Sequence, residues 1–224
     1  MKTSQRIIKN SIFLLSSQIV SKLINLILIV LLARLLSKSD FGVYSFTFAY
    51  VGLFTFMIHL GLNSLLVREI AKNKNEAGIL IGVSFPIILF CSLLTFIILN
   101  SISFLVDWTV NERSIIFIFG FYLIFDTIGR YFIAIIRAHE RMEFEALINV
   151  SERFFLFVAT LLAFLFYFEL KSLVILFAFV QFLKMVTSYL LVHRFFIRFN
   201  FKWSTQKAKS SCLYVAPAPF ELSA

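Results

Sequence analysis

The sequence predicts an all-α fold: a polytopic transmembrane bundle of six spans, with both ends of the bundle on the cytoplasmic side. Three observations carry that prediction. The chain is 60% apolar, where a soluble domain holds roughly 45 to 50%. Its apolar residues gather into six runs, each about 20 residues or slightly more, the length that crosses a hydrocarbon core of about 30 Å. The basic residues fall mostly on alternate connections. Backbone exposed to lipid must satisfy its own hydrogen bonds, so such runs read as helices. The alternating segments of about ten residues that a membrane β-barrel needs are missing.

Met1 to Asn10 is a short basic arm carrying Lys2, Arg6 and Lys9. The first span follows, residues 12–36. It is too long for a signal-peptide core, holds a lysine and lacks a small-residue cleavage site, so it is expected to remain as a true span. The turn Ser37-Lys38-Ser39-Asp40 offers Ser39 or Asp40 as the cap of the next helix. The second span is 41–62. A polar connection, 63–78, contains a mixed apolar and charged segment, Leu65 to Ala71, expected to extend the second span or to lie at the membrane surface. The third span, 79–99, contains Pro86, which removes a backbone donor and is expected to kink the helix.

The connection 100–114 brings Trp108, suited to headgroup level. The fourth span is 115–136, followed by a charged loop from Arg137 to Glu145. The fifth span, 146–168, has Asn149, Glu152 and Arg153 in its first turns, where Glu152 and Arg153 can sit at the interface. Glu169-Leu170-Lys171 makes a minimal turn, and the sixth span is 173–192. Residues 1–200 thus form one six-helix lobe. Residues 201–224 read as a cytoplasmic basic linker that turns apolar again, like the start of a truncated seventh span.

Charge sets the orientation. With the first arm cytoplasmic, the inner connections hold Lys2, Arg6, Lys9, Arg68, Lys72, Lys74, Arg137, Arg141, Arg194, Arg198, Lys202, Lys207 and Lys209. The outer ones hold only Arg34, Lys38, Arg113 and Lys171. That excess is the positive-inside signature, and it accounts for the formal charge of +9 without nucleic acid as a partner.

Six charges remain inside spans: Lys22, Asp126, Arg130, Glu152, Arg153 and Lys184. A charge at mid-bilayer costs roughly 2.5 to 3.5 kcal/mol on insertion scales, so it must face other helices or water. Gln18, Lys22 and Asn25 lie at i, i+4, i+7 and share one helix face. Gln181, Lys184 and Ser188 repeat the stripe in the sixth span, and Arg130 sits one turn from Asp126 on a common face. With four cations against two acids, pairing Asp126 to Arg130 leaves a positive surplus. Neither lysine has an acid within a turn, so Lys22 and Lys184 are expected to line a wet, anion-receptive cavity. His59, His139 and His193 fall near helix ends, and Cys91 and Cys212 are too unlike in setting to pair. No metal-ligand spacing, phosphate-cradling loop or nucleophile elbow is present, so neither an enzyme nor a cofactor is expected.

The run Leu31-Leu32-Ala33-Arg34-Leu35-Leu36, followed by Phe41-Gly42-Val43-Tyr44-Ser45-Phe46, resembles the opening of the oligosaccharide flippases, or polysaccharide biosynthesis proteins. These belong to the multidrug/oligosaccharidyl-lipid/polysaccharide exporter superfamily. Leu60-Gly61-Leu62-Asn63 and Val67-Arg68-Glu69-Ile70-Ala71 extend the resemblance in order, and it runs to about Asn200. The resemblance implies a carrier of lipid-linked oligosaccharide in the cytoplasmic membrane, moving a diphosphate-sugar head between leaflets. It implies a second six-helix lobe facing this one, on the same or a separate chain. On that view Lys22 and Lys184, with Arg130, contact the diphosphate, and Asp126 holds Arg130 or takes a coupling proton. Gln18, Asn25 and Gln181 complete the substrate-facing set. The alternatives are a drug exporter of the same superfamily, which would want acidic cavity residues, a non-transporting membrane subunit, or an inactive gene fragment.

Overall fold

The computed structural model describes residues 3–58, 62–73, 77–105, 108–166 and 169–195, and within them all regular structure is helical. Seven helices follow in order: α1 (Thr3–Leu35), α2 (Lys38–Ile58), α3 (Leu62–Lys72), α4 (Ala77–Leu105), α5 (Val110–Ala138), α6 (Met142–Leu165) and α7 (Leu170–Phe195). Five contain a stretch long and apolar enough to cross a membrane: α1, α4, α5, α6 and α7. The end of the expected second span lies outside the described residues, as do His59, Cys212 and the whole expected linker from 201 on.

Helix boundaries depart from the sequence expectation wherever polar side chains turn back onto their own backbone. The expected basic arm is continuous with the first span, since α1 begins at Thr3. The cap of α2 is Ser37, not Ser39 or Asp40: its Oγ accepts the Asp40 N–H at 3.1 Å and donates to Asp40 Oδ2 at 2.7 Å. The expected loop 100–114 is mostly helix. Asn100 donates its side-chain amide to Phe96 O, and Ser103 donates to Asn100 O, so polar residues continue α4 to Leu105. Thr109 and Glu112 form a reciprocal capping box that starts α5 five residues early. The charged loop after α5 likewise shrinks to a turn around Glu140, whose φ of 61° is left-handed. The mixed segment after the second span is a separate helix, α3, with Leu66 and Ile70 buried against the bundle. α4 runs through Pro86 without ending.

α5 is the axis, packed against α2, α3, α4, α6 and α7, while α1 lies on the outside, mainly against α6. Apolar contacts divide into two clusters along α5. One gathers Ile116, Phe119 and Leu123 with Leu156 on α6, Val174 and Phe177 on α7, and Leu28 and Leu32 on α1. The other gathers Ile128, Tyr131 and Ile135 with Ile81 on α4, Ile70 on α3, and Val192 on α7. Between them lies a polar layer. Tyr131 ties α5 to α4 through its hydroxyl, 2.8 Å from Ser84 Oγ and donated to Ile81 O at 3.3 Å. Gly129 brings α5 close to α7: a Cβ there would lie 3.5 Å from the Met185 backbone. Trp108, expected at headgroup level, packs against Phe46 and Tyr50 of α2.

Candidate functional site: a cationic cavity beside the polar layer

The polar layer joins three helices through one ammonium group. Lys184 Nζ on α7 lies 2.9 Å from Asp126 Oδ1 on α5 and 2.9 Å from Glu152 Oε2 on α6. Gln181, one turn earlier on α7, donates its amide to Asp126 Oδ1 at 3.0 Å and to Glu152 Oε1 at 3.2 Å. Arg130 donates Nε–H to the other Asp126 oxygen, Oδ2, at 2.7 Å. Asp126, Glu152, Gln181 and Lys184 are all buried. Desolvating these charges is expensive, and the mutual pairing offsets it.

Lys184 therefore departs from the sequence expectation. It has no acid within a turn of its own helix, yet two carboxylates from neighbouring helices hold it. Local spacing could not show this, because both partners lie 30 or more positions away. Glu152, for which a place at the interface and one inside the bundle were both open, is a buried member of the cluster.

Against this cluster lies a cavity of about 520 Å³, walled by α1, α5 and α6, with Asn63 of α3 and Lys184 of α7. α1 contributes Ser17, Gln18, Ser21, Lys22 and Asn25, the predicted stripe with two serines added. α5 contributes Arg130, Ile133, Ala134 and Arg137, spaced i, i+3, i+4, i+7 on one face. α6 contributes Glu145, Asn149, Glu152 and Arg153. Of the predicted site residues, Gln18, Lys22, Asn25, Arg130 and Lys184 line the space. Asp126 and Gln181 stand behind it and hold the lining in place.

The lining is not neutral. Five cations (Lys22, Arg130, Arg137, Arg153, Lys184) face two lining carboxylates, Glu145 and Glu152, with Asp126 behind, leaving two positive charges in excess. Arg137 is committed: its Nε and Nη2 both donate to Glu145, whose side chain is 3% exposed. Arg153 donates to Asn25 Oδ1 at a long 3.4 Å, the contact that links α6 to the α1 stripe. Lys22 is exposed and has no ion-pair partner among the described residues. Arg137 and Glu145 escaped the sequence reading, which assigned them to a loop, and the signal that could have found them is the seven-residue spacing from Arg130 to Arg137. Arg153 was counted among the charges inside spans but not among the substrate-facing residues. Among the described residues, no group of His, Cys, Asp and Glu is arranged to hold a metal.

A profile of the polysaccharide biosynthesis protein family matches residues 7–218, nearly the whole chain. No curated protein and no solved structure matches.

Proposed function

Since the chain belongs to the polysaccharide biosynthesis protein family, and so is a multi-pass membrane protein of polysaccharide synthesis or export, we propose that it is one lobe of a flippase for lipid-linked oligosaccharide. The lobe receives the diphosphate-sugar head of a polyprenyl-linked glycan and passes it from the cytoplasmic to the outer leaflet of the cell membrane. It acts as a carrier and not as a catalyst. The observation that carries this reading is the excess of cation around a cavity of about 520 Å³ beside span-length helices. A cationic hollow in a membrane is costly to keep unless an anion uses it.

The bundle has six spans in this reading, α2 being the one besides the five apolar helices, with the N-terminus and the end of α7 cytoplasmic. The cavity then opens towards the cytoplasm at the α5–α6 turn, where Arg137 and Glu145 stand, and Lys22, Arg130 and Arg153 lie deeper. A second lobe supplies the facing wall, against which this one rocks. A drug exporter fits less well, because organic cations would meet Lys22, Arg130 and Arg153 before any unpaired carboxylate.

The test is complementation of a strain lacking its own polysaccharide flippase, with surface glycan as the readout and membrane abundance as control. Restored glycan that is lost on Lys22→Ala supports the reading. Full glycan with Lys22→Ala and Arg130→Gln combined, at equal abundance, overturns it.

A further inference from the structure

Arg130 and Arg137 look alike in sequence, two turns apart on one face of α5, but they differ in what they have left to offer. Arg137 commits one whole edge of its guanidinium, Nε and Nη2, to Glu145. Arg130 uses only Nε, on Asp126 Oδ2 at 2.7 Å, and its two Nη groups make no hydrogen bond to a described residue. Its side chain is 48% exposed and lines the cavity, while that of Asp126 is 5% exposed. The carboxylate is itself fixed, because its other oxygen accepts from Lys184 Nζ at 2.9 Å and Gln181 Nε2 at 3.0 Å. A guanidinium pinned by Nε has one free edge of N–H donors, and that edge matches two oxygens of a phosphoryl group.

We propose that Asp126 is a positioning residue for anion binding: it holds Arg130 by Nε so that the two Nη groups grip a phosphoryl group in the cavity, and Lys184 acts through Asp126 without touching the ligand. This rests on the transporter reading above and assigns its phosphate contact to one guanidinium edge. It removes Lys184 from direct contact, since that ammonium is 5% exposed and faces two carboxylates. Lys22, across the cavity on α1, supplies a point charge that needs no fixed orientation.

Binding of inorganic pyrophosphate to the purified chain in detergent, measured by titration calorimetry, tests the proposal. Arg130→Lys keeps the charge but cannot satisfy Asp126 and the ligand together, so it is expected to weaken binding about tenfold or more, nearly as far as Arg130→Gln. Arg68→Lys, the same exchange at an exposed arginine of α3 outside the cavity, is expected to stay within about threefold of wild type. A cycle of Asp126→Asn with Lys184→Gln reads the second half. If Lys184 works through Asp126, the double variant binds no worse than the weaker single variant; if it touches the ligand, the losses multiply. Should the buried variants elute as aggregates, the comparison of Arg130→Lys with Arg68→Lys still decides, since both side chains are exposed and both exchanges keep the charge. Wild-type binding that Arg130→Lys leaves intact, or multiplying losses in the cycle, overturns the grip while sparing the transporter reading. A wild-type chain that ignores pyrophosphate overturns both.

Discussion

α1 and α5 both carry charge across the width of the bundle, and they keep it in opposite ways. In the most apolar stretch of α5, 56% of residues are buried, against 11% in α1. α5 is packed against five other helices, and three of its five charges stand in ion pairs: Asp126 with Lys184 and Arg130, Arg137 with Glu145. α1 exposes Ile12, Ile19, Leu23, Leu26 and Ile27, and its one mid-span charge, Lys22, stands in the cavity unmatched. The difference separates two duties that look identical in sequence. A buried, paired charge binds the bundle together, whereas in the proposed reading an exposed one in the cavity meets the ligand, and Arg130 on the axis does both.

The sharpest way to break this distinction is to delete a charge from the axis. Asp126→Ala strips Lys184 and Arg130 of a buried partner and is expected to cost about 3 to 5 kcal/mol, read as a large fall in the thermal midpoint in detergent. A midpoint within a degree or two of wild type would mean that the α5 charges are not structural. Next in size is a steric test of α5. A Cβ at Gly120 would meet the Phe96 ring at 2.6 Å, so Gly120→Val is expected to cost about 1 to 3 kcal/mol by the same measurement.

On the rim the expected stability effects are small. Lys22→Ala should change the midpoint by less than the equivalent of about 0.5 kcal/mol, while surface glycan falls in the complementation assay. Smallest of all is Leu23→Ala on the outward face of α1, expected within about 0.5 kcal/mol because lipid tails are as apolar as leucine. A clearly larger loss in the bilayer would show that a second lobe, and not lipid, covers that face.

The helical class and the Gln18-Lys22-Asn25 stripe were legible because each rests on local periodicity. Helix ends were less so, since Asn100, Ser103 and Thr109 read as loop residues by type, and only their bonds to nearby backbone make them helical. The pairing of Lys184 with Glu152 was not legible at all. Pairing them requires α6 and α7 side by side in a fixed register, which no spacing along one helix encodes. Arg130 was half legible: its partner Asp126 lies one turn away, but which donors stay free depends on where Lys184 and Gln181 approach the carboxylate.

One ammonium bonded to two helices besides its own has a mechanical corollary. Any slippage among α5, α6 and α7 would strand ions in an apolar interior, so these three must travel as a rigid block. Among the described residues the seam between α1 and α6 has no such rivet: no ion pair crosses it, and Arg153 reaches Asn25 through one stretched bond of 3.4 Å. Movement at that seam, the wall that carries Lys22, would part no buried ion pair among the described residues.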